Sequence, residues 1–124
     1  MYAERLLPHD PEAEEAVVGS ILIDGEAISK VTSFLKPEDF YVAKARWTYD
    51  ACVALAQRGE PINQVSVGNE LALRDRLEEV GGTSYLGHLV STVPTSVHIE
   101  HYGRIVQRTA TMRQLIGVAG DIAA

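Results

Sequence analysis

The sequence predicts an all-α fold, a compact bundle of about six helices of which the last is long. Three observations carry that expectation. No segment of four or more residues alternates strictly between apolar and polar side chains, so nothing reads as a half-buried strand. Apolar residues recur instead at spacings of three and four. The segments between them are punctuated by residues that start and stop helices, and 124 residues make one core rather than two.

The first helix opens in "HDPEAEEAVVGSILID". Asp10 is placed to cap it, Pro11 takes the first helical position, and Glu12, Glu14 and Glu15 lie near the positive end of its dipole. Gly25 breaks the pattern, and "EAISKVTSFL" reads as a second short helix. Pro37 makes "KPEDFY" a turn, because it disfavours helix at Lys36. A third helix is expected from about Lys44 to Arg58, with Trp47, Ala51, Ala54 and Leu55 at the helical period and Gly59 and Pro61 ending it.

Ser66 is the expected cap of a fourth helix, "VGNELALRDRL". The stretch "VGGTSYLG" that follows, residues 80–87, has the glycine content of a phosphate loop. It lacks the lysine and Ser or Thr of G-x-x-x-x-G-K-[ST] and the preceding strand of a dinucleotide loop. Gly81 and Gly82 therefore read as the close of one helix before the next, "TSYLGHLVSTV", begins at Thr83 and ends before Pro94. From Val97 a helical pattern runs to the last residue, and "GDIAA" stops mid-helix without a cap, as if cut.

Eleven basic residues stand against seventeen acidic ones, a net charge of −6 that gives non-specific phosphate binding no help from the overall field. No apolar run approaches the roughly 20 residues of a membrane span, and "MYAERLLPHD" lacks the regions of a signal peptide. An intracellular protein is expected, in keeping with a lone cysteine, Cys52.

Catalytic chemistry finds little support. "HIEH" sets His98 and His101 three apart with Glu100 between them, a spacing that can hold a metal, but no third ligand lies nearby and a solvated helix start is the simpler reading. Cys52 has no adjacent base and reads as a small buried hydrophobe. The pair Glu78 and Glu79, like the glutamates of the first helix, is explained by a helix terminus. Trp47 and Tyr49 have only Lys44 and Arg46 beside them, a thin basis for stacking on nucleic acid.

Projected at about 100° per residue, Ile99, Tyr102, Ile105, Val106, Met112 and Ile116 of the last helix share one arc, with Glu100, Arg104 and Arg108 opposite. From Leu115 onward the wet side turns apolar, with Leu115, Val118 and Ile122 at spacings of three and four. One core cannot bury both sides, so this end of the helix expects another partner. Two charges sit on apolar arcs. Glu14 falls between Val17, Val18 and Ile21, and Arg113 between Val106, Thr109 and Ile116. Each alone is costly to bury, so a Glu14–Arg113 ion pair tying the first helix to the last is expected.

In order and spacing, "DPEAEEAVVGSILID", "EDFYVAKARWTYDACVALAQRGEPINQVSV" and "LEEVGGTSYLGHLVSTVPTSVHIEHYGRIVQRTATMRQLI" resemble the amino-terminal domain of DnaB-type bacterial replicative DNA helicases. Two departures stand out: Asn63 occupies a position where the family more often has an acid, and "LPHDPEAE" varies its usual double proline. The resemblance implies a flexible segment over residues 1–10, a globular helical domain over 11–114, and at 115–124 the start of a helical hairpin that this chain cuts short. In the family such domains pair through their hairpins into a collar on a hexameric ring, where primase and loader proteins dock. ATP and Mg²⁺ belong to a motor domain outside this sequence, so no cofactor and no catalytic residue are implied here. A cytoplasmic, nucleoid-associated setting is implied as well.

Interface candidates are Leu115, Val118 and Ile122, with Tyr85 and Ile116 as apolar groups near the base of the hairpin that could equally be core. The function expected is a non-catalytic collar module. Its rival is a small helical nucleic-acid-binding domain.

Overall fold

A computed structural model describes residues 7–123, with side chains up to residue 118. Among the described residues there are no strands and six α-helices: α1 (Pro11–Ile23), α2 (Ala43–Gln57), α3 (Gln64–Leu73), α4 (Leu77–Val80), α5 (Gly82–Ser91) and α6 (Ile99–Ala123). Two short 3-10 segments, Gly25–Lys30 and Pro37–Asp39, bridge α1 to α2. The all-α architecture with a long last helix is therefore present, although its six helices are not the six expected from sequence.

The differences are local. "EAISKVTSFL" is a 3-10 segment and turns rather than an α-helix, held at its start by the Asp24 carboxylate, which accepts the Glu26 N–H at 3.2 Å. The expected fourth helix is two. α3 ends at Leu73, Asp75 takes a left-handed φ of 57°, and α4 follows. Aspartate is among the few residues that tolerate that backbone, so no glycine marks the break. Asn63, rather than Ser66, is the N-cap of α3: its side chain accepts the Ser66 N–H at 3.0 Å, and Ser66 Oγ accepts the Asn63 N–H at 2.9 Å. Ser66 completes a reciprocal box instead of opening the helix.

α1 is the centre of the bundle. Val17, Val18 and Ile21 are fully buried, and α5 and α6 pack directly on this helix. Gly19 makes the α1–α5 approach possible, because a Cβ there would collide with the Leu89 carbonyl oxygen and come within 2.7 Å of Thr92 Oγ1. On the other side Phe40 stacks on Tyr49 with ring centroids 4.6 Å apart, and the Tyr49 hydroxyl donates to Leu35 O at 2.8 Å. Tyr49 is thus buried core.

Glu14 is also wholly buried, but the expected ion pair with Arg113 does not form. Its two carboxylate oxygens accept the backbone N–H groups of Tyr41 at 2.9 Å and Val42 at 3.0 Å. Arg113 donates instead to the carbonyls of Pro8 at 2.9 Å and Asp39 at 2.7 Å. The two charges are coupled through the segment they both hold. The physical reason lies just before α2, where the consecutive N–H groups of Tyr41 and Val42 face the buried carboxylate and give each of its oxygens a donor, so the pair needs no guanidinium from the far helix. Burial pushes the Glu14 carboxyl up, opposed by those two N–H groups and by the charges of Arg113 and His9.

A second carboxylate ties α3 to α2. Glu70 is bound by Arg58 at 2.7 Å and Arg74 at 2.8 Å, and these guanidinium contacts hold its carboxyl below the usual range.

Three outcomes follow. Glu14→Gln leaves one of two buried N–H groups facing an amide NH₂, and chemical denaturation should record a loss of about 1–3 kcal/mol. Gly19→Ala should cost about 1–3 kcal/mol through overpacking against α5. Glu70 has its folded-state pKa depressed, so its contribution is present above the ordinary carboxylate value and lost as pH falls through the depressed one. An acid titration of stability should therefore be steeper for the native protein than for Glu70→Gln, and less so in high salt.

Candidate partner interface

Along α6 the inward face is well buried as far as Ala110: Ile99 and Val106 are inaccessible, Tyr102 and Ile105 pack on the core, and Gly103 lets the helix approach Val31 and Phe34. Beyond that point the bundle ends and the helix continues. Met112, Leu115, Ile116 and Val118 are 45%, 64%, 47% and 55% exposed. Met112 and Ile116 were expected to share the core face, but that face no longer has anything opposite it. Leu115 and Val118 lie alongside at spacings of three and four, so the free end of α6 carries apolar groups on more than one side. The side chain of Ile122, the third member of the expected stripe, lies outside the described residues. So do residues 1–6 of the segment expected to be flexible; residues 7–10 precede α1 and are held by the His9 ring, stacked on Tyr41 at 4.3 Å, and by the Arg113–Pro8 bond.

Tyr85 occupies a different place from Ile116. Its ring is half-buried against the core on α5, beneath the Lys44 ammonium at 5.6 Å. Burial and the nearby charges of Glu15 and Glu14 push its phenol pKa up, and its buried hydroxyl makes no hydrogen bond to a described protein group. Of the two, Ile116 is the more exposed, at 47%.

The other polar groups singled out from the sequence do not come together. His98 and His101 are exposed at the start of α6, and no group of three or more His, Cys, Asp or Glu of metal-binding geometry exists among the described residues. Cys52 is buried, with its thiol pushed up to about 12 by desolvation. "VGGTSYLG" holds left-handed Gly81 (φ 110°) and Gly82 (φ 72°), the turn between α4 and α5.

Sequence reasoning passed over a cleft lined by Pro37, Glu38, Arg46, Trp47, Asp50, Arg74 and Arg76, about 530 Å³ in volume. Arg76 lies over the Trp47 ring at 4.2 Å. These arginines come together only in the fold, from α2 and the α3–α4 turn, and no spacing signals it. Two of the three are paired with carboxylates, Arg74 with Asp50 at 3.0 Å and Glu70 at 2.8 Å and Arg76 with Glu79 at 3.0 Å, while Arg46 donates to the Phe40 carbonyl at 3.2 Å. The cleft has cations without a surplus of positive charge.

Among the described residues, no helix is long and apolar enough to cross a membrane. The family model of the DnaB-like helicase N-terminal domain matches residues 6–108. The replicative DNA helicase DnaB of Geobacillus stearothermophilus is 42% identical over 99% of this chain, which spans 27% of that relative's length. A crystal structure of the N-terminal domain of DnaB helicase from Mycobacterium tuberculosis superimposes with a TM-score of 0.92 at 38% identity, covering 95% of this chain and 82% of that one. A second structure, of a DnaB-like replicative helicase described with its interactions with primase, gives a TM-score of 0.82 at 27% identity over 92% of this chain and 27% of that one. With its six helices in place and most of its length matched, this chain belongs to the family of DnaB-like helicase N-terminal domains.

Proposed function

We propose that this chain is a non-catalytic collar module of a hexameric replicative DNA helicase, acting in the bacterial cytoplasm in ring assembly and in docking primase and helicase loader. The observation that carries the reading is the free end of α6. Its apolar groups at 112–118 stand clear of the bundle, where a helix of a neighbouring copy can cover them. Leu115, Val118 and Ile122 are assigned to contacts between subunits and Ile116 to the edge of that contact, while Tyr85 belongs to the bundle wall. The solved DnaB-like helicase described with primase is the support for a primase-facing role here. ATP and Mg²⁺ are assigned to the motor domain of the longer protein, since these 124 residues hold no G-x-x-x-x-G-K-[ST]. The rival reading, a nucleic-acid-binding domain, would use the Trp47 cleft. Two of its three arginines, Arg74 and Arg76, are paired with Asp50, Glu70 and Glu79, and the net charge of −6 repels a phosphate backbone.

Light scattering separates the two. A version extended through the complete hairpin should be dimeric at about 10–50 μM, and Leu115→Asp with Val118→Asp should return it to monomer with the helical circular dichroism unchanged. A monomeric native extension at those concentrations would remove the interface. In parallel, titration with single-stranded DNA at physiological salt should show no binding. A dissociation constant in the low micromolar range with a steep salt dependence would favour the rival.

A further inference from the structure

Among the described side chains of α6, Arg113 is the last to reach back into the bundle. It lies one turn beyond Ala110, which is 4% exposed, and between the exposed Met112 and Leu115. Its guanidinium donates to two carbonyls from separate parts of the chain, Pro8 at 2.9 Å and Asp39 at 2.7 Å, and lies 5.2 Å from the Tyr41 ring. His9 stacks on that same ring at 4.3 Å. The Tyr41 N–H is in turn fixed by buried Glu14. The planar fork of an arginine can hold two acceptors in one geometry, which a lysine cannot. Arg104, by comparison, lies over Phe34 at 3.6 Å on a stretch of α6 that is already packed, and Arg108 is exposed.

We infer that Arg113 is a positioning residue: with residues 7–10 it forms a clasp that fixes the direction in which the last turns of α6 leave the bundle. Residues 7–10 are the movable part of this clasp. They belong to no helix and touch the bundle through Pro8, His9 and the Asp10 cap. A partner that draws this segment away removes one of the two Arg113 acceptors and the stacked ring together, and the end of α6 is freed to swing or fray. The segment that precedes the first helix thus sets the aim of the surface that follows the last. Its relevance to assembly rests on the collar reading; its geometry does not.

The test uses spin labels on Gln57→Cys and Val118→Cys, both exposed positions, with Cys52 too buried to compete for label. The distance distribution between them should be narrow in the otherwise native chain. It should broaden roughly twofold both in Arg113→Met and on deletion of residues 1–9, which leaves the Asp10 cap in place, while helical circular dichroism is kept. Unchanged width in both variants would show that the packing of Ile99, Val106 and Ala110 alone aims the helix, and would overturn the clasp. Broadening in only one of them would overturn it as a unit. Should Arg113→Met fail to fold, the deletion decides. In the version extended through the hairpin, the same changes should weaken self-association about tenfold. Broadening without that loss would deny the clasp a part in assembly. An extended native chain that does not associate would instead remove the interface reading and leave the clasp standing.

Discussion

The rest of the structure depends on one buried carboxylate. Glu14 sits on the inner face of α1 with no access to water, beside valines and an isoleucine, and a charge there is tolerable only if the fold satisfies it fully. The fold does so with backbone. By accepting the Tyr41 and Val42 amides, Glu14 holds the two residues that lead into α2 and so fixes where α2 begins relative to α1. The stretch leading into α2 also meets the last helix and the start of the chain, the Asp39 carbonyl through Arg113 and the Tyr41 ring through His9. A single group on α1 thereby sets the register of three otherwise separate elements.

α6 shows what happens when a helix outruns the core that stabilises it. Up to Ala110 the usual trade holds, apolar face inward and charges outward, with Gly103 allowing the close approach to Val31 and Phe34. Past it the apolar pattern continues without a bundle to receive it. A helix this apolar and this exposed gains free energy from any complementary surface, at about 25 cal/mol per Å² removed from water. The bundle holds the first part of α6 against α1, and the protruding end leaves Met112, Leu115, Ile116 and Val118 exposed.

Much of the fold was legible in the sequence because its signals are local. Asp10–Pro11 marks the start of α1, Gly81–Gly82 the turn into α5, and the apolar period of α6 its inward face. What was not legible depended on distant partners or on residues with two habits. Asp75 in a left-handed turn carries no signature distinct from an aspartate inside a helix, so α3 and α4 read as one. Asn63 and Ser66 are both good caps, and only the reciprocal bonds show which one opens the helix. The helical wheels correctly put Glu14 and Arg113 on inward faces. A wheel cannot show what lies across from a residue, and a charge facing inward suggested an opposite charge when the actual partners were main-chain groups. The same blindness placed Met112 and Ile116 in a core whose last buried residue is Ala110, and it hid the Trp47 cleft, which draws on α2, the 3-10 segment before it and the α3–α4 turn.

The central claim is that the α6 end is covered in the working protein. Hydrogen exchange tests it most directly, followed at the amides of residues 112–118 in this chain and in a full-length helicase carrying the same domain. The account predicts that these amides exchange at least about tenfold more slowly in the full-length assembly, while those of α1 stay as they are. Equal exchange at 112–118 in the two forms would contradict it, because the apolar end of α6 would then be as open to water in the assembly as in the isolated domain.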